Sequence, residues 1–130
     1  MSNVLFFPVK GNDAKLLKIC KVATAHVQRK ERLIILVSDQ IAFEFVDELL
    51  WRLPEEGFLP HPNPFLTIET EPNGEASAIF NLQPLAFLQN NSFKKIYELE
   101  DYTSSEKLRL SKQRYQMYRN AGYPITVETD

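Results

Sequence analysis

The stretch LIILV at residues 33–37 restricts the fold of this chain more than any other feature. Five consecutive apolar residues leave no side of a strand for solvent, so the strand must be covered on both faces, as in parallel sheets. Parallel strands are joined by long crossovers, which are usually helices. We therefore expect helices on both sides of this stretch.

The flanking residues show the periodicity that such helices need. Residues 4–8 (VLFFP) form a short apolar run typical of a buried strand, and residues 14–29 follow as an amphipathic helix. Residues 39–50 predict a second helix. Its expected buried residues recur at helical spacing: Ile41, Phe45, Val46 and Leu49. The chain thus opens in the order β-α-β-α.

The second half predicts further strands and a final helix. Residues 65–69 and 76–80 are apolar runs around a turn at residues 72–74, which indicates an antiparallel hairpin. Residues 84–90 could form a short helix, and residues 94–100 a further strand. Thr103 and Glu106 fit a capping box that opens a last helix, and Gly122 suits its left-handed end. We predict one α/β domain over residues 1–130, with a three-layer, mostly parallel sheet and helices on both faces.

Composition excludes several classes of protein. The formal net charge of −2 gives no overall attraction to nucleic acid or to anionic membranes. No apolar run approaches the roughly 20 residues of a transmembrane helix, and the first residues lack the pattern of a signal peptide. A single cysteine, Cys20, cannot form an internal disulfide, which fits a cytoplasmic protein.

The sequence carries no pattern that predicts catalysis or a cofactor. The first β-α turn, PVKGND, holds only Gly11, so it lacks the glycines that let a backbone approach a pyrophosphate. His26 and His61 have no metal-ligand spacing with Cys20. We interpret His26 as an ordinary surface or boundary residue and Cys20 as an inert core residue. We therefore predict a protein that is not an enzyme and has no cofactor.

The segment LWRLPEEGFLPHPNP at residues 50–64 combines large apolar side chains with dense proline. Trp51, Phe58 and Leu59 could fold back onto the core, as large apolar residues usually do. Proline-fixed loops that carry aromatic residues also make rigid anchors for a partner. Both interpretations stay open from the residues alone. The prolines of the segment are Pro54, Pro60, Pro62 and Pro64.

The last helix is basic. At about 100° per residue, one stripe on it combines apolar and cationic residues. These are Leu108, Lys112, Tyr115 and Arg119. The cations could simply complement the helix dipole, or the stripe could bind an acidic ligand with an apolar end.

At this point the residues resemble a known family. DELLW at 47–51, Arg52 with Pro54, and GFLPH at 57–61 are similar to the signature of the chi subunit of bacterial DNA polymerase III. RYQMYRNAGY at 114–123 resembles the C-terminal motif of the same family. The resemblance spans nearly the whole chain, and the two motifs together are specific.

The resemblance implies a Rossmann-like fold that binds no nucleotide and a non-catalytic role in DNA replication. Chi bridges the clamp loader to single-stranded-DNA-binding protein (SSB) by binding its acidic C-terminal tail. Carried over, the tail site consists of Leu108, Lys112, Tyr115, Arg119, Gly122 and Tyr123. The psi subunit, or another replication protein, would dock on Trp51, Phe58, Leu59, Pro60 and His61.

One position departs from the family pattern. Leu108 stands where family members can carry lysine, which changes the charge of the tail site. The alternative function is a small-molecule-binding or enzymatic α/β domain with a degenerate phosphate loop. A deep pocket at the carboxyl ends of the first strands would favour that alternative. An exposed Trp51 and a basic last helix would favour the bridge.

Overall fold

The computed structural model describes residues 2–52, 63–89 and 93–128. In these ranges, strands alternate with three helices. The elements in chain order are β1 (Asn3–Val9), α1 (Asn12–Arg29), β2 (Leu33–Leu36), α2 (Gln40–Arg52), β3 (Leu66–Glu69), β4 (Ala78–Asn81), β5 (Lys95–Asp101), α3 (Ser105–Asn120) and β6 (Ile125–Val127). No helix in the described ranges has the length and apolar character needed to cross a membrane.

The six strands form one sheet in the order β3-β2-β4-β5-β1-β6, and all of its strand pairs are parallel. The predicted α/β fold with a Rossmann-like sheet is confirmed. The predicted antiparallel hairpin is wrong, because β3 and β4 lie on opposite sides of β2 and each pairs with β2 in parallel.

The reason for this difference lies in β2 and in Arg32. A strand that is apolar on both faces gains most from a central place, so it takes a neighbour on each side. The chain between β3 and β4 is held at the start of β2 by the Arg32 guanidinium, which donates to the carbonyls of Asn73 (3.0 Å) and Glu75 (2.7 Å). The turn at residues 72–74 is therefore part of a crossover.

Two helical layers cover the sheet. The side chains of Leu33 and Ile35 lie in the cluster packed under α1 and α2, whereas Ile34 and Leu36 lie in the cluster that contains Tyr118 of α3. All four side chains are essentially inaccessible to solvent. The prediction that this strand is covered on both faces is confirmed, and so is the placement of helices on both faces.

Helix α2 differs from prediction in its exposed residues, and α3 differs in its cap. Ile41 and Phe45, expected in the core, are 79% and 59% exposed, and α2 packs through Val46, Leu49 and Leu50 instead. In α3 the cap is Ser104, whose hydroxyl accepts from the Lys107 amide (3.1 Å). The predicted cap residue, Thr103, donates its hydroxyl to the carboxylate of Asp101, two residues earlier. The described part of the predicted helix at 84–90 is irregular.

The end of α3 agrees with prediction. Gly122 has φ +83°, and its amide donates to the carbonyl of Arg119 while that of Tyr123 donates to Tyr118. This left-handed turn reverses the chain. It leads into β6, a strand missing from the sequence prediction, which pairs with β1 at the sheet edge.

Lys30, which follows α1, has the same left-handed conformation without being a glycine (φ 57°). Since a Cβ is disfavoured there, Lys30→Gly should raise the free energy of unfolding by about 0.5–1 kcal/mol. Urea denaturation measures the change. Lys30→Ala is the control, because it keeps the Cβ and should give no such gain. Equal gains in both variants would show that the Lys30 side chain, and not its backbone conformation, causes the effect.

Candidate functional site

Helix α3 is fixed to the sheet by a buried polar network. The Glu98 carboxylate on β5 is fully buried and accepts from Arg114 Nε (2.9 Å), the Tyr118 hydroxyl (2.6 Å) and Asn81 Nδ2 (2.7 Å). Arg114 Nη2 also donates to the carbonyl of Leu99 (3.1 Å). Two residues of the RYQMYR motif therefore hold the helix in place and do not face solvent.

Burial controls the charge state of this network. It raises the pKa of Glu98 from 4.5 to about 7, although Arg114, Tyr118 and Asn81 all favour the ionised form. The Tyr118 hydroxyl donates to Glu98 and accepts from the Phe87 amide (2.9 Å). The network thus links β4, β5 and the chain after β4 to α3.

Four of the five cations of α3 fall into two groups, and the fifth, Lys107, is exposed in the first turn without an ion pair in the described ranges. Arg114 pairs with Glu98, and Arg109 forms an exposed ion pair with Glu106. Lys112 and Arg119 are exposed, and neither has an ion pair with any residue in the described ranges. These two cations lie on one side of α3 and are available to an acidic ligand.

Aromatic rings accompany these two cations. Tyr115 lies between them in sequence, is half-buried, and packs its ring 5.6 Å from that of Phe6 on β1. Tyr123, just after Gly122, stacks edge-on against the core residue Tyr118 at 5.4 Å. Each of these two tyrosine rings is therefore packed against an aromatic residue of the core. Leu108 is half-buried one turn before Lys112.

Trp51 lies on the other side of the molecule, near the end of α2. It is 43% exposed. It lines a shallow cleft of about 380 Å³ beside the edge strand β3, together with Phe43, Asp47 and Leu66. The remaining residues predicted for this surface lie outside the described residues: Phe58, Leu59, Pro60 and His61.

The carboxyl ends of β2, β4 and β5 border a cavity of about 500 Å³, the feature that the small-molecule alternative predicts. Its lining is mostly apolar. The neighbouring strands β5 and β1 are followed by helices on opposite faces of the sheet, α3 and α1. In the crevice between the ends of these two strands, Lys15 and Asp101 form an ion pair of 2.7 Å. That crevice is where α/β proteins commonly bind a phosphate, and here the Lys15 ammonium is paired with a carboxylate of the chain itself.

Cys20 and His26 both have structural surroundings. Cys20 is 1% exposed, which confirms the predicted core position, and burial raises the pKa of its thiol to about 11. His26 is 2% exposed, so the prediction of a surface or boundary position is wrong. Its ring nitrogens bond to the Glu31 carbonyl (2.9 Å) and the Tyr97 hydroxyl (2.7 Å), and burial lowers its pKa. Among the described residues, no three candidate ligands cluster around a possible metal position.

Sequence reasoning missed the buried network. The available signal was a glutamate within an otherwise buried strand, Glu98, together with Ser111, Arg114 and Tyr118 at helical spacing. Ser111 is buried, and its hydroxyl donates to the Leu99 carbonyl (3.0 Å) and accepts from the Asp101 amide (3.0 Å). Polar residues at core spacing indicate a satisfied internal network.

Together these features define a Rossmann-like α/β protein with an internal ion pair at its phosphate crevice and a basic, aromatic stripe on its last helix. The chain matches the family model described as "DNA polymerase III chi subunit, HolC" over residues 1–126. It is also similar to the DNA polymerase III subunit chi of Escherichia coli (strain K12), with 23% identity over 146 residues that cover 99% of each chain. The chain belongs to the chi subunit family of DNA polymerase III. This family is an accessory part of the replication polymerase and binds other replication proteins.

Proposed function

We propose that this accessory subunit bridges the clamp loader to SSB by binding the acidic C-terminal tail of SSB on α3. The observation that carries the proposal is the division of the α3 cations. Arg109 and Arg114 are held by carboxylates of the chain, whereas Lys112 and Arg119 are exposed on the same side as Tyr115. If the cations of α3 only complemented the helix dipole, there would be no need to keep some of them paired and others exposed on one side.

The chemistry of the stripe fits an acidic peptide with an apolar end. Lys112 and Arg119 would pair with the acids and the terminal carboxylate of the tail, because charge-assisted hydrogen bonds are the strong ones. Tyr115 and Tyr123 would form the wall of an apolar subsite, with Gly122 leaving room beside them. Leu108 in place of a lysine would lengthen the apolar part of the site and lower its charge.

The Trp51 surface would hold the other partner. Its position near the end of α2, beside the edge strand β3, is separated by the sheet from α3. Two partners could therefore bind at the same time, as a bridge requires. The psi subunit or another replication protein would occupy it, through Trp51 and the residues Phe58, Leu59, Pro60 and His61.

The tail site can be tested by titrating a labelled peptide of the SSB C-terminus against the protein at two salt concentrations. We expect micromolar affinity, about −8 kcal/mol, which weakens as salt rises. Lys112→Gln should weaken binding about tenfold, the usual size for one lost charge-assisted contact. Tyr115→Ala should do the same through loss of the apolar wall.

The matched control is Gln113→Glu on the solvent face of α3. It changes the net charge by the same amount as Lys112→Gln, so an effect of net charge alone would appear in both variants. We expect Gln113→Glu to stay close to wild type. If Lys112→Gln and Tyr115→Ala both bind like wild type, the stripe is not the tail site.

A further inference from the structure

Strand β6 is the last strand at one edge of the sheet, and part of its backbone points away from the sheet. The Pro124 carbonyl and the Glu128 amide are hydrogen-bonded to β1, each at 2.9 Å. In a parallel strand, the backbone groups of alternate residues face opposite neighbours. The amides and carbonyls of Ile125 and Val127 therefore point outward, where the described ranges place no further strand. An open edge of this kind can bind an extended peptide as an additional strand.

The register between β6 and β1 shows the direction of the β6 side chains. Val127 lies opposite Phe6, on the face that α3 covers, and is 37% exposed. Thr126 lies opposite Leu5, on the face that α1 covers. Side chains of a strand added to this edge alternate in the same way. Successive residues of such a strand face α3 and α1 in turn.

The α3 side of this edge carries the stripe proposed as the tail site. The Tyr115 ring packs 5.6 Å from the ring of Phe6, and Phe6 is the β1 residue directly opposite Val127. Lys112 and Arg119 lie one turn before and one turn after Tyr115 and are exposed. The two cations thus lie along the side of α3 that faces β6.

The α1 side of the same edge is also basic, and it has no part in the surfaces described above. Lys18, Lys21 and Arg29 line a pocket of about 220 Å³ together with Glu128, which follows β6. The Lys18 ammonium pairs with the Glu128 carboxylate at 3.0 Å, so a carboxylate at this edge is within reach of a cation of α1. Arg29 has only an exposed ion pair of 3.5 Å with Glu31. Lys21 is exposed and has no ion pair in the described ranges.

We propose that the acidic segment of the SSB tail, just before its C-terminal residue, binds to β6 as a seventh strand of the sheet. This mode of binding rests on the proposed function and extends it, because α3 holds the end of the tail while the preceding acids run along β6. Acids that point to one face meet Lys112 and Arg119, and those that point to the other face meet Lys21 and Arg29. Cations on both sides of one edge fit a run of consecutive acids, whereas the α3 stripe alone can contact only alternate ones.

Two modified tail peptides test the added strand without changing the protein. Each carries N-methyl groups on alternate backbone amides of the acidic segment, one peptide on the odd residues and the other on the even residues. Only one of these two sets of amides faces β6 in a strand. We therefore expect one peptide to bind about tenfold more weakly than the other, the usual size for lost backbone hydrogen bonds. Calorimetry gives the two affinities, and equal values would overturn the added strand.

Val127→Pro tests the same edge from the side of the protein. It removes an outward amide at an edge position, where proline is tolerated, and should weaken binding of the unmodified tail peptide about tenfold. Val127→Thr is the matched control, because it keeps the amide and the branched shape and should bind like wild type. The N-methylated peptides decide the question even if Val127→Pro fails to fold.

Lys21→Gln tests the α1 side of the edge. It should weaken binding of the tail peptide about two- to threefold, as expected for one exposed charge. Arg52→Gln is the control, because it removes an exposed positive charge at the end of α2, beside the opposite edge strand, and should not change the affinity. Equal effects of the two variants would show that net charge alone is responsible, which contradicts a contact at Lys21.

Lys112→Gln separates the added strand from the proposed function. If it weakens tail binding while the two N-methylated peptides bind equally, the tail site on α3 stands and the added strand is overturned. If Lys112→Gln and Tyr115→Ala both bind like wild type, the tail site fails and the added strand fails with it. We expect Lys112→Gln, Val127→Pro and one of the two N-methylated peptides each to give weaker binding.

Discussion

Replacing Arg114 with alanine should lower the free energy of unfolding by about 3–5 kcal/mol. The substitution removes the only cation that faces the buried Glu98 carboxylate among the described residues. Breaking one side of a buried ion pair leaves Glu98 either charged without compensation or protonated with its hydrogen bond to Arg114 lost, and both are costly. Urea denaturation at neutral pH measures the loss. Arg109→Ala is the control, since its ion pair with Glu106 is exposed and contributes at most about 1 kcal/mol.

The loss in Arg114→Ala should grow with pH. The pKa of Glu98 is already raised from 4.5 to about 7, and loss of the cation raises it further. A carboxyl group with a raised pKa in the folded state stabilises that state below its unfolded pKa and loses this contribution as pH rises through the folded value. The variant should therefore be closest to wild type near pH 5. A loss that is equal at pH 5 and pH 8 would contradict this account of Glu98.

Replacing Trp51 with alanine should separate binding from folding. The side chain is 43% exposed, so we expect the substitution to cost about 1 kcal/mol of stability, well below the roughly 3–5 kcal/mol of a core tryptophan. If psi is the partner, as proposed, its complex with the protein should weaken by roughly 2 kcal/mol or more, about 30-fold, as for an aromatic anchor. Thermal melts without partner and calorimetry with psi give the two values.

Phe43→Ala provides a comparison on the same helix, because Phe43 lines the same cleft but is more buried and packs against the core. It should lose more stability than Trp51→Ala and less affinity. A large fall in the melting temperature of Trp51→Ala would assign Trp51 to the core. Unchanged binding of psi would leave the Trp51 surface without this partner.

The sequence predicted the fold where local pattern and tertiary packing agree. LIILV is apolar on both sides, and the helical layers cover both sides of it. The pattern failed where tertiary context decides. Two apolar runs around a turn cannot show whether they pair with each other or with a third strand between them, and Arg32 fixes the second arrangement. The short β6 has too few residues for any periodicity.

In the candidate sites, too, local pattern predicted some features, and tertiary context decided the others. Helical spacing placed Lys112, Tyr115 and Arg119 on one side of α3, and the structure keeps the two cations exposed. Spacing could not show that Arg114 turns inward, because a buried arginine depends on Glu98, which is distant in sequence. The helical period of α2 likewise could not show that Ile41 and Phe45 lie beyond the edge of the core.

The most direct measurement of the proposed contact with SSB uses single-stranded DNA coated with SSB on a sensor surface. The protein should bind to DNA coated with full-length SSB and should not bind when the SSB lacks its C-terminal tail. Bare DNA should give no strong signal, given the net charge of −2. Lys112→Gln should reduce binding to the full-length coat, while Gln113→Glu should not. Equal binding to the full-length and the truncated coat would contradict the account.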